Sequence, residues 1–108
     1  MKFKINDREW EIKEVMQEEL RNVHNDNTGE GCYYGTTFPN TKEIWLWKDL
    51  PLDTKRKTLY HELMHCYIFS YISFNNIPFE IDDFCDISAN AHNKIQKISD
   101  DYFRGRKK

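Results

Sequence analysis

The sequence predicts a single α+β domain, with a small antiparallel sheet and two or three helices. Three observations carry this. Residues 2–5 and 9–13 alternate with a period of two, and residues 32–37 and 43–47 read as two strands around a turn. Residues 55–71 contain neither Gly nor Pro and space their apolar side chains helically. Finally, Phe84, Ile87, Ala91, Ile95, Ile98 and Tyr102 step by three and four without a miss. The 108 residues suit one domain, and no composition shift or repeat divides residues 1–108.

Lys2–Ile5 and Glu9–Lys13 alternate around Asn6–Arg8, which predicts a hairpin. From Val15 the period changes, and Val15, Met16, Leu20 and Val23 could line one side of a short helix. His24–Gly31 is rich in turn formers and reads as a loop. Cys32–Thr37 is expected to be a strand, Phe38–Thr41 a turn, and Glu43–Trp47 the returning strand, with large side chains on both faces. Asp49–Asp53 interrupts the sheet, and Asp53 or Thr54 can cap the helix that follows, by accepting N–H bonds from its first turn. That helix is expected from Lys55 to about Tyr71, with Leu59, Leu63, Cys66, Ile68 and Phe69 on its apolar side. Ser73–Pro78 reads as a loop, and a last helix is expected from about Ile81 to Phe103.

Composition narrows the function. Charged residues make up 31% and aromatic residues 15%. Mean hydropathy is −0.85, polar for a globular domain, but the aromatic content argues against disorder. A net charge of −2 provides no general basic field, so direct nucleic-acid binding is not expected. The basic cluster Arg104–Lys108 reads as a solvated chain end. No apolar run is long enough to span a bilayer, and the first residues lack the apolar core of a signal peptide. The three cysteines, Cys32, Cys66 and Cys85, show no disulfide-framework spacing. Together these predict a cytoplasmic protein with reduced, buried, inert thiols.

One segment carries chemistry. His61-Glu62-Leu63-Met64-His65 is an H-E-x-x-H sequence inside the expected helix. Chance order would produce it on the order of once in a hundred such chains. Residues four apart share a helical face, so two imidazoles can meet one zinc ion at about 2.0–2.1 Å each. Glu62 stands one step round the helix, beside the metal rather than on it, placed to relay a proton from water to a leaving amine. Catalytic zinc takes three protein ligands and keeps one position open. Candidates for the third are Glu80, Asp82, Asp83, Asp86 and His92. The acids also suit the first turn of a helix, where negative charge compensates the dipole. His24 reads as a solvated loop residue. Tyr60, Tyr67, Tyr71, Trp45 and Trp47 form an aromatic group whose default role is packing.

Leu59-Tyr60-His61-Glu62-Leu63-Met64-His65-Cys66 resembles the active helix of the ImmA/IrrE family of small zinc metallopeptidases. Asp82-x-x-Cys85-Asp86-x-Ser88-Ala89 sits in register with that family's E-x-x-A-[ND]-x-F-A helix. The Cys-Asp pair resembles compact forms found on phages and mobile elements. The resemblance covers about residues 42–91. It implies a zincin-like fold, a bound Zn2+ held by His61, His65 and Asp82, and Glu62 as general base. It also implies a protein substrate such as a repressor or regulator. In zincins the strand before the active helix, here Glu43–Trp47, lies at a sheet edge and can pair with an extended peptide. Two departures stand out. Asp82 is one methylene shorter than the expected Glu, so its helix must approach closely, which the small Cys85 and Ala89 permit; Asp83, nearer the apolar stripe, is the second candidate. The helix-turn-helix module that accompanies many such peptidases has no counterpart in residues 1–108. An alternative reading is a zincin-fold binding module, weakly active or inactive, that captures a host or regulatory protein.

Overall fold

A computed structural model describes residues 1–26, 31–71 and 81–105, with the backbone alone for residues 71 and 81–90. The elements run β1 (Lys2–Ile5), β2 (Arg8–Val15), α1 (Gln17–Val23), β3 (Gly35–Phe38), β4 (Glu43–Trp47), α2 (Leu52–Tyr71) and α3 (Ile81–Gly105). No described helix is long and apolar enough to cross a membrane. The expected loop Ser73–Pro78 lies outside the described residues.

The hairpin turn is Asn6-Asp7, with φ of 51° and 62°. Two consecutive left-handed residues give the turn a twist that matches its flanking strands. The sheet is four-stranded, in the order β1-β2-β4-β3. It is mixed rather than antiparallel throughout, because β2 and β4 pair in parallel, Ile12 opposite Ile44. The reason lies in the chain's route. After β2 it passes through α1 and a loop and lays β3 at the far edge, so the returning β4 fills the gap beside β2 in the same direction. The strand expected at the edge, β4, is therefore interior, and β3 is the edge strand.

Inward-facing residues of the strands, Phe3, Ile5, Trp10, Ile12, Ile44 and Leu46, form one core with Leu59, Leu63 and Cys66 of α2 and with Ala91, Ile95, Ile98, Tyr102 and Phe103 of α3. Phe84 and Ile87, which begin the expected stripe, have side chains outside the described residues. Ile68 and Phe69 are only half-buried. Val15 is buried as the end of β2 instead of starting α1, and of the other three residues of the expected helical apolar side Leu20 is buried while Met16 and Val23 are exposed. The segment at residues 32–34 precedes β3 without joining it. Neither Asp53 nor Thr54 caps α2: the helix starts at Leu52, the Pro51 carbonyl accepts from Lys55 N–H at 2.8 Å, and Asp53 bonds only the neighbouring Thr54 N–H.

Two polar closures pin the helices to the sheet. Glu14 continues the inward parity of Trp10 and Ile12, carrying a carboxylate toward the core. There Lys55 Nζ donates to Glu14 Oε1 at 2.8 Å and to the Lys48 carbonyl at 2.8 Å, while the Tyr102 hydroxyl donates to Glu14 Oε2. At the other end of α2, the Ser70 carbonyl accepts from Asn6 Nδ2 at 3.0 Å and Arg8 Nη1 at 3.1 Å. Trp10 Nε1 donates to Ser70 Oγ at 3.1 Å. The hairpin thus donates to a carbonyl in the last described turn of α2.

Candidate metal and catalytic site

The faces of α2 place the motif. Lys55, Leu59, Glu62, Leu63, Cys66 and Ser70 point inward, while Asp53, Lys57, His61 and His65 form an exposed row at four-residue spacing. His61 and His65 turn their rings edge to face, with Nε2 atoms 3.2 Å apart. Two nitrogens bound to one tetrahedral zinc at 2.0–2.1 Å would stand about 3.3–3.4 Å apart. The pair therefore fits a shared metal ion in both donor type and separation. Among the described residues no group of three or more His, Cys, Asp and Glu side chains gathers around one point.

The candidates for the third ligand fare differently. Glu80 lies outside the described residues, and so do the side chains of Asp82, Asp83 and Asp86, with those of Cys85 and Ala89. Their backbone belongs to α3 from Ile81 onward. Arg56 covers the Phe103 ring at 4.5 Å, and the Tyr60 hydroxyl meets His92 Nδ1 at 2.7 Å. These contacts run α3 antiparallel to α2, so the first turns of α3 head toward the His65 end of α2. His92 does not join the histidine pair; its contact is Tyr60.

Glu62 faces the opposite way from a surface carboxylate. It is 7% exposed, and its Oε1 accepts from Thr37 Oγ1 at 2.7 Å. Thr37 belongs to the edge strand β3, opposite Ile44. No motif marks Thr37 in the sequence. The only available signal was its place in a period-2 strand, where it shares parity with Gly35; its partnership with α2 depends on tertiary packing.

Glu62 lines two depressions along the seam between β3 and α2. One, of about 560 Å³, is bounded by Tyr33, Tyr34, Gly35, Lys57, Thr58 and His61 among others. The second, about 230 Å³, lies between Thr36, Thr37, His65 and Phe69. The close approach of β3 to α2 needs Gly35: a Cβ there would lie 2.8 Å from the Trp45 carbonyl oxygen and 3.1 Å from Thr58 Cγ2. The Trp47 N–H to Tyr34 carbonyl bond, 2.8 Å, sets the alternation of the β3–β4 ladder. By that alternation Gly35 and Thr37 turn their backbone N–H and C=O away from β4, toward the sheet's open edge.

The thiols divide. Cys66 is fully buried, and burial, followed by the charge of Glu62, pushes its thiol well above the ordinary range, so it stays protonated and inert. Cys32 is exposed and lines the larger depression, contrary to the expected burial; it stands before β3, outside the sheet residues that form the core. The Cys85 side chain lies outside the described residues. His24 is exposed, and its ring stacks on Tyr33 at 4.3 Å.

No family model matches the chain, and no curated protein or solved structure matches it.

Proposed function

We propose that this chain is a zinc-dependent peptidase that hydrolyses a peptide bond in a protein substrate, with a repressor or other regulator as the substrate class. The observation that carries the reading is the 3.2 Å separation of the His61 and His65 Nε2 atoms on the open face of the helix that also holds Glu62. His61 and His65 would hold the ion, with Asp82 as the third ligand. Once bound, zinc supplies Lewis acidity, polarising the scissile carbonyl and lowering the pKa of water to about 7.

The chain's own groups supply the rest. Glu62 takes the proton of the attacking water and returns it to the leaving amine. Glu62 lines both depressions, so a chain running from one to the other would pass it with room on either side. The edge of β3 offers an extended peptide backbone partners at Gly35 and Thr37. This transfers to β3 the substrate-pairing role that the family resemblance assigns to the preceding strand.

Metal stoichiometry by native mass spectrometry tests the site, on wild type and on His65→Ala, Asp82→Ala and Asp83→Ala. The expected result is one zinc per chain, lost in His65→Ala and weakened in Asp82→Ala but not in Asp83→Ala. Wild type that binds no zinc when supplied with it would overturn the reading. Glu62→Gln separates enzyme from binding module: it should keep the metal and lose turnover.

A further inference from the structure

Thr37 holds two positions at once. Its hydroxyl donates to Glu62 Oε1 at 2.7 Å, and its backbone polar groups lie on the open edge of β3. Among the described residues no buried side-chain polar atom lacks a hydrogen-bond partner. Glu62 Oε2 has no donor there, so it is the carboxylate oxygen left unbonded and not sealed in. One hydroxyl thereby selects which carboxylate oxygen is free for proton transfer and fixes its direction. A substrate paired along β3 would be registered by the backbone of the same residue.

We propose that Thr37 is a positioning residue for the hydrolysis, holding Glu62 in one orientation relative to a substrate that pairs along β3. The proposal rests on the peptidase reading. Its physical basis is the steep dependence of proton transfer on alignment: a displacement of about 1 Å can lower a rate on the order of a hundredfold. Thr36 and Phe38, the neighbours of Thr37 in β3, turn to the other face of the strand and cannot replace it.

The test uses the full chain loaded with zinc and a set of fluorogenic, unstructured peptides of mixed sequence. Thr37→Val keeps the shape and removes the hydroxyl, whereas Thr37→Ser keeps the hydroxyl. Expected for Thr37→Val is a fall in kcat of about ten- to a hundredfold, with KM within about twofold of wild type. Thr37→Ser should recover kcat to within about threefold. A second readout needs no turnover. In urea unfolding, Thr37→Val should raise the unfolding constant about tenfold or more, since a buried carboxylate loses its donor. In a Glu62→Leu background the same change should move it by less than about threefold.

Equal kcat in Thr37→Val and wild type would overturn the positioning role, as would Thr37→Ser falling as far as Thr37→Val. Each result leaves the peptidase reading intact if Glu62→Gln is inactive. Wild type that cleaves none of the peptides, matching Glu62→Gln, would overturn both.

Discussion

Lys55 and Glu14 meet at 2.8 Å across the interface between α2 and the sheet, with the Lys55 side chain 3% exposed. Burial pulls the Lys55 ammonium below its ordinary value, against the raising influence of Asp49. Removing one partner of such a pair leaves the other charge buried and uncompensated, at a cost of about 3–5 kcal/mol. Lys55→Met should therefore destabilise the fold by roughly that amount in urea denaturation. Adding Glu14→Gln should return part of the loss, because the buried charge is then gone.

Tyr102 makes stability depend on alkaline pH. Burial pushes its hydroxyl from 10.0 to about 12. A raised value means the folded chain holds this proton more tightly than the unfolded chain. The contribution is complete below pH ~10 and is lost as pH rises through ~12; a shift of this size corresponds to about 2–3 kcal/mol. Wild type should lose stability across that interval more steeply than Tyr102→Phe. Thermal melts at stepped pH, with tyrosinate absorbance as the second probe, check this.

The contact between the hairpin and α2 is testable at Ser70. Ser70→Ala deprives the fully buried Trp10 of the acceptor for its indole N–H, which should cost about 1–3 kcal/mol. Asp7→Gly should act in the opposite sense, by about 0.5–1 kcal/mol, because glycine takes the left-handed conformation without a Cβ clash. Opposite shifts of the urea midpoint at unchanged slope are the expected signature.

Zinc should raise the melting temperature of wild type in a concentration-dependent manner, since a ligand that binds only the folded chain stabilises it by mass action. His61→Ala and His65→Ala should each abolish the shift, and His92→Ala should retain it, because His92 contacts Tyr60 and not the pair. Differential scanning fluorimetry across a zinc titration reads all four proteins together.

The elements most legible in the sequence were those whose signal is local. The strand expected at Glu43–Trp47 has the same limits in the structure, and the helix expected from Lys55 to Tyr71 gains only its first three residues. His61 and His65 could be placed on one face because spacing alone decides it. What sequence did not reveal depends on partners far along the chain. Period two marks Ile12 and Ile44 as inward residues but does not say that they are neighbours in parallel strands. Thr37 and Glu62 meet only because β3 lies at the edge under α2. Lys55 looks like a solvated helix residue, and Glu14 reads as the outer side of a short helix; that both are inward and face each other follows only from β2 running on to Val15.

The Ser70 closure bears on what can be cut away. A fragment limited to residues 42–91 would contain His61, Glu62, His65 and every acidic candidate ligand. It would discard Asn6, Arg8 and Trp10, which hold the last turn of α2, and Thr37, which holds Glu62. The chemical motif and the smallest autonomous unit are therefore different stretches of chain. Grafting the motif-bearing helix onto another scaffold would transfer the two histidines without the hairpin that anchors the helix end.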